Sequence, residues 1–245
     1  FTVNIQSVIK SVDTHLLTEV VKEDFNLNAT IKTEAVPSDP TQSLEHLFGG
    51  DIVAIDGTLD GSVYLIVSRN NDYVVKAVVD ADGSLDINPT HANPAQITRF
   101  ATGHTPTGVV ISTDGTRAYV NNEVDTSITG LDLVHDSVLN PPEIFASEPP
   151  APGTPDEIVR LGKLVFFTGL GVPNDDSIFG TPIQNISTLA NRGKASSNGW
   201  SSCASCHTDG LSDHVTWIFP AGPRRSIPLD GTLDKDNPFN SRVLL

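Results

Sequence analysis

Between Asp51 and Val138, short runs of β-branched and aromatic residues are interrupted by Asp-Gly pairs at 56–57, 60–61, 82–83 and 114–115. The runs occupy 51–56, 62–67, 73–79 and 118–120. Asp-Gly supplies the positive backbone dihedrals that tight hairpin turns need, and runs this short are strand-sized. The stretch therefore predicts an antiparallel meander, which a sandwich, a barrel or a propeller would satisfy equally.

The segment from Thr105 to Asn122 narrows the choice. It reads Thr-Pro-Thr-Gly-Val-Val-Ile-Ser-Thr-Asp-Gly-Thr-Arg-Ala-Tyr-Val-Asn-Asn, and 127–133 supplies the strand that would follow. Pro and Gly set a corner, the apolar run fills a sheet interior and Asp-Gly closes the hairpin. This pattern resembles the YVTN-type β-propeller repeat, and 66–80 is similar to a weaker copy. At a repeat length of roughly 40–45 residues the likeness covers about two blades, whereas a closed propeller takes at least about four. The sheets are expected either to lack their companions or to be covered by something else. Within this region Asp80-Ala81-Asp82-Gly83-Ser84-Leu85-Asp86 spaces carboxylates like a calcium loop, without the length or the final Glu of an EF-hand. A hairpin turn is the simpler reading, and calcium stays a candidate cofactor.

Residues 139–155 hold six prolines and predict a stiff, extended linker. Thr154, Pro155 and Glu157 then form a helix start, as cap, first-turn proline and capping-box acid. Ile158, Leu161, Leu164 and Val165 make the apolar stripe of that helix, which should end near Phe166-Phe167 before Gly169 and Gly171.

Both cysteines of the chain lie in Ser202-Cys203-Ala204-Ser205-Cys206-His207. Two thiols at this spacing can add to the two vinyl groups of one haem, with the histidine that follows placed to ligate the iron. Cys203 and Cys206 are therefore expected to carry thioether bonds and His207 to be the proximal ligand. A redox disulfide, half of a zinc site and two unremarkable cysteines are the competing readings. No second cysteine pair exists to complete a structural zinc site, and 196–201 reads as a loop, not the strand that precedes a thioredoxin-like motif. The chain contains no methionine, so a second axial ligand from within it would be a histidine. His214 is the first candidate, because seven extended residues span roughly 23 Å. His104 and His46 follow.

Arg160–Phe167 and Gly199–His207, with Asp209–Asp213, Val215–Trp217 and Gly222–Arg224, resemble the haem domains of the bacterial dihaem cytochrome c peroxidase superfamily, in members fused behind a YVTN-type propeller. That resemblance implies an α-helical cytochrome c fold carrying one covalent haem c on Cys203, Cys206 and His207, with Trp200 and Trp217 as candidates to pack against it. The family uses two haems, whereas this chain has one attachment motif and stops at Leu245 without an evident ending. A second haem domain is thus expected to be missing or supplied by another chain.

The expected fold class is α+β and multidomain: a segment without a clear signature over 1–45, an incomplete all-β propeller-like meander over 46–138, the linker over 139–155, and a small α-helical cytochrome c-type domain over 156–245. Electron transfer through one haem is favoured over peroxidase-like catalysis. Covalent haem implies export to the periplasm or beyond, and Phe1 in place of methionine fits processing or truncation. From Ala151 onward nine acids face eight bases, so nearly all of the net charge of -15 lies before it. Such a field disfavours nucleic acid and suits solubility or a cationic redox partner. No run of eighteen apolar residues is present, so no membrane span is expected.

Overall fold

The computed structural model describes residues 6–21 and 24–229. Phe1 and the terminal 242–245 segment, on which the expectations of processing and truncation rest, lie outside them.

The N-terminal segment begins as two nested ladders, β1 (Val8–Ile9) with β4 (Phe25–Asn26) and β2 (Val12–Asp13) with β3 (Thr18–Glu19). Helix α1 (Leu27–Ile31) follows, capped by Asn26, whose Oδ1 accepts the Ala29 N–H at 3.1 Å.

Two antiparallel sheets form the body. The first runs β5 (Ile52–Gly57), β6 (Val63–Ser68), β7 (Tyr73–Val79), and its fourth position is split: β8 (Leu85–Asp86) pairs with one end of β7 and β9 (Arg99–Ala101) with the other. The second runs β10 (Pro106–Ile111), β11 (Arg117–Asn122), β12 (Ser127–Asp132), β13 (Ser137–Phe145) without interruption. Each is a four-position meander, the plan of a propeller blade. Among the described residues the two do not close on each other or on further sheets.

The same turn closes the first hairpin of each sheet. Asp60 Oδ1 accepts the Thr58 hydroxyl and the Ser62 hydroxyl and N–H, while Asp114 Oδ1 accepts those of Ser112 and Thr116. The Gly61 and Gly115 dihedrals of φ +69° and +70° complete it. These bonds, led by the hydroxyls of Thr58 and Ser112, hold both carboxyls down at about 2. Asp82-Gly83 also makes a turn, but Asp56-Gly57 does not. Gly57 ends β5, where a Cβ would stand 2.7 Å from the Tyr64 ring, and Asp56 Oδ2 accepts the Ile111 N–H at 2.7 Å to tie β5 to β10.

One core lies between the sheets, where Leu65, Val67, Val74 and Phe100 meet Ile111, Ala118, Val120 and Leu131. Strand β6 is buried on both faces, so its other side needs a cover too. Ile66, Tyr73, Val75 and Ala77 pack there against Leu27, Ile31 and Leu47 from the N-terminal segment and against Leu170 from beyond the second sheet. The first sheet is therefore covered by non-repeat chain. The outer face of the second sheet stays open, with Val110, Tyr119 and Ile144 exposed.

The proline-rich stretch departs from the linker expectation at its start. Residues 137–145 form β13, with Pro141 and Pro142 inside it. Proline lacks the N–H of a central strand, but β13 is the edge of its sheet, and its register shifts opposite Thr129 and Leu131, so a missing donor costs little. The helix expected after it is present as α2 (Pro155–Phe167), with the Thr154 Oγ1 cap on the Glu157 N–H.

Beyond α2 the chain is less helical than expected. Short 3₁₀ turns occupy 176–199, a single turn α3 (Cys203–Cys206) holds the cysteines, and a hairpin of β14 (Thr216–Phe219) and β15 (Gly222–Arg225) follows. The Gly, Pro, Asn and Ser content of 169–202 explains this, because each of these residues favours turns over helix interiors.

This C-terminal part docks on two loops in matching positions of successive sheets, 69–72 between β6 and β7 and 123–126 between β11 and β12. Arg69 stacks on the Phe167 ring at 4.1 Å, and Asn70 O accepts the Gly169 N–H at 2.7 Å. Asn70 Nδ2 and Asn71 Nδ2 both donate to Gly199 O, at 3.0 and 2.9 Å. On the second loop, Arg160 donates to the Glu123 and Val124 carbonyls and Lys163 pairs with Glu123. Leu161 and Leu164 of α2 pack with Val124, Ile178, Ile183 and Ile186, while Ile158 and Val165 of the same stripe stay exposed.

Candidate functional site

Helix α3 starts where Ser205 Oγ accepts the Ser202 N–H at 3.0 Å, which frees the backbone to turn at Cys203. Residues three apart on a helical turn share a face, so Cys203 and Cys206 are neighbours. Cys203 is exposed and Cys206 half-buried, both as free thiols. Burial, then the charges of Asp213 and Cys203, push the Cys206 thiol up. A redox or nucleophilic cysteine needs the opposite shift. Among the described residues neither thiol stands in a group of three potential metal ligands, which leaves the zinc reading without partners.

His207 closes α3, its N–H donating to Cys203 O at 3.0 Å. Its Nδ1 lies 3.3 Å from Leu211 O. A carbonyl only accepts, so this contact puts a proton on Nδ1 and points Nε2 away from it, the arrangement by which a second partner orients a metal-binding imidazole. Asp213 joins the following hairpin to the motif. Its N–H donates to Cys206 O at 3.1 Å, and its carboxylate accepts from Val215 N, Ser226 Oγ and Trp217 Nε1. Leu211, Val215, Ile218, Phe219 and Ile227 are exposed around this framework.

The other residues singled out from the sequence are placed as follows. Trp217 is half-buried on β14 with its indole N–H on Asp213 Oδ2 at 2.7 Å. Trp200 packs against the first sheet's covered face, in the cluster of Leu170 and Tyr73. His214 is exposed, at φ +57°, its N–H on Ser212 Oγ. His46 Nδ1 lies 3.2 Å from Glu34 O.

His104 is buried at the junction of both sheets with the C-terminal part. Its Nδ1 is 3.1 Å from Asp72 Oδ2, which also accepts the Thr188 hydroxyl at 2.8 Å, and its ring bonds the Ile186 backbone as well. Asp125 Oδ2 accepts the His104 N–H at 2.5 Å. Burial alone would lower this imidazole, but the bond to Asp72 and the charges of Asp72 and Asp125 outweigh it and raise it to about 9. Sequence reasoning singled out His104 but missed Asp72, Asp125 and Asp213. The signal for the first two was an acid in the same loop of both repeats.

The loop spaced like a calcium site forms a hairpin turn at Asp82-Gly83. Asp80 and Asp86 converge with His91, all three ligand atoms within 4.8 Å of one another. The loop thus brings two carboxylates together and adds an imidazole from outside it.

No protein-family model matches the sequence, and no curated protein matches it. Solved structures similar to it include Kuenenia stuttgartiensis hydrazine synthase, at 19% identity and a TM-score of 0.37 over 58% of this chain and 30% of that one. A functionally unknown Desulfotomaculum acetoxidans protein is similar at 19% and 0.39, over 59% and 37%. The β-propeller domain of Myceliophteria thermophila Cps50 (Swd1) is similar at 11% and 0.34, over 58% and 36%. The chain spans about a third of the length of these structures, and similarity at this level transfers no activity.

Proposed function

We propose that the C-terminal part carries one covalent haem c, attached through Cys203 and Cys206 and ligated by His207, and that the protein is an exported electron carrier. The observation that carries this reading is the geometry of 203–211: two thiols on one face of a single turn, followed by an imidazole whose Nδ1 is committed to Leu211 O and whose Nε2 points away from it. The exposed apolar side chains of 211–227, with Ile158 and Val165 of α2, are surface that a porphyrin would remove from water. The haem would supply one-electron exchange at its iron. The chain's own residues hold and orient it: Leu211 O fixes the imidazole, Asp213 locks the hairpin to Cys206, and the loops of both sheets anchor the segment that precedes the motif. The acidic β-part suits a cationic redox partner.

Expression with a periplasmic haem-attachment system, followed by the pyridine haemochrome spectrum and intact mass, tests the reading. One haem per chain that survives denaturation, and is lost in Cys203→Ser/Cys206→Ser, supports it. A bare polypeptide mass under those conditions rejects it.

A peroxidase-like enzyme is the alternative reading, and it turns on the sixth position of the iron. His104 is bonded through its ring to Asp72 and Ile186, which leaves His46, whose Nδ1 contact with Glu34 O keeps Nε2 available, and the exposed His214 as sequence candidates for a second axial ligand. An open iron position would bind cyanide quickly and turn over peroxide, with any second haem coming from another chain. A low-spin ferric spectrum that cyanide does not change would decide for the carrier.

A further inference from the structure

A cavity of about 260 Å³ opens beside His104, between the 69–72 loop, the 123–126 loop, β13 and the 184–189 turns. Three carboxylates, Asp72, Asp125 and Glu143, reach it from three separate elements, against one imidazole. Two side-chain oxygens of the lining residues are buried without a partner, Asn71 Oδ1 and Asp125 Oδ1, and of the two only Asp125 carries charge. Asp72 Oδ1 accepts the Thr105 N–H and Oδ2 serves His104 and Thr188, so this carboxylate is used up. Asp125 is 4% exposed, its Oδ2 serves the His104 N–H, and its Oδ1 is buried with no partner. Glu143, half-buried on β13, faces the same space.

We propose that this cavity binds a hard divalent cation of the calcium class, with Asp125 Oδ1 and Glu143 as its anionic ligands. Even with His104 protonated, the three ionised carboxylates leave the cavity with an excess of two negative charges, which one dication balances. The available donors are oxygens, which selects calcium-like ions over the softer metals that imidazole and thiolate attract. The volume leaves room for water to complete a shell of six to eight ligands. Burial first, and for Glu143 the charge of Asp125 next, push both carboxyls up, and a bound cation would relieve that cost. The ion would bridge the two sheets and the C-terminal part, as a clamp on the base that carries the cysteine motif.

The chain as purified, whatever its haem content, is stripped with chelator and titrated with CaCl₂ by isothermal calorimetry, so failure of the haem reading leaves this test intact. One calcium per chain and a higher thermal midpoint are expected. Asp125→Asn keeps an acceptor for the His104 N–H and should weaken calcium binding at least ~10-fold, by loss of ligand charge. Glu143→Gln, at a half-buried position, should do the same. Asp86→Asn, in the other carboxylate cluster, should leave binding unchanged. Absence of calcium binding, binding that survives both Asp125→Asn and Glu143→Gln, or binding lost in Asp86→Asn overturns the proposal.

Discussion

His104 is the group through which pH should act on this fold. Its folded value of about 9 lies above the unfolded value near 6.5, so its contribution is fully present below about pH 6.5 and is lost as pH rises through about 9. Working the linkage through for one site gives a loss of about 2–3 kcal/mol between pH 7 and pH 10. Asp72, Asp125 and Glu143 surround the imidazole, and their charge is what sustains it; the Thr188 hydroxyl and Ile186 backbone complete the shell. His104→Gln keeps a donor for Asp72 but no titration. Urea unfolding from pH 7 to pH 10 should therefore show a loss in the wild type that is shallower in the variant by about 2–3 kcal/mol. At pH 7 the variant should already be less stable by a similar amount, because Asp72 loses its buried counter-charge. Following the His104 ring resonances through the titration reads the same value directly. Parallel pH profiles for the two proteins, or a ring that titrates near 6.5, would refute the reasoning.

Glu34→Ala should cost about 3–5 kcal/mol in urea midpoint analysis, because it strands the Arg99 guanidinium, which sits 3% exposed on two 2.7 Å bonds to that carboxylate. Gly199→Ala should cost about 2–4 kcal/mol and open the C-terminal part to trypsin at Arg192 and Lys194. The residue has φ +67°, and a Cβ would stand 2.1 Å from Asn71 Oδ1, displacing the amides that hold the Gly199 carbonyl. Asp213→Ala should leave the global midpoint nearly unchanged while hydrogen exchange over 211–229 accelerates about 10-fold or more, since its bonds are confined to the hairpin and Cys206 O.

What was legible in the sequence was whatever rests on local chemistry. The strands of 52–79 and 106–132 follow from β-branched runs and from turn aspartates that bond their own neighbours. The start of α2 follows from Thr154, Pro155 and Glu157 within four positions. The N-terminal ladders were not legible, because strands of two residues have no period to detect. Nor was β13, whose prolines are compatible with a linker and with an edge strand alike, a choice made by neighbours and not by the segment itself. The contacts of Asn70 and Asn71 with Gly199 span more than 120 residues and leave no local trace.

Those distant contacts bear on how two propeller-like sheets can hold the segment that bears the cysteine motif. A propeller blade is stable when both faces are covered, and the usual cover is the next blade. Here the face of the first sheet formed by Ile66, Tyr73 and Val75 is covered by Leu27, Ile31, Leu47 and Leu170 instead, so chain that a closed ring would exclude becomes part of the core. Leu170 and Trp200 of that cover bracket the approach to the cysteine turn, and Gly199, Trp200 and Ser202 lead directly into Cys203. The motif is therefore anchored at its N-terminal side to the 69–72 loop of the first sheet and, among the described residues, at its C-terminal side to a hairpin held by Asp213. A group attached at 203–207 would be fixed relative to the sheets from one side while the other stays able to adjust, which places the least rigid wall of the site on the 211–227 hairpin and the exposed apolar side chains it carries.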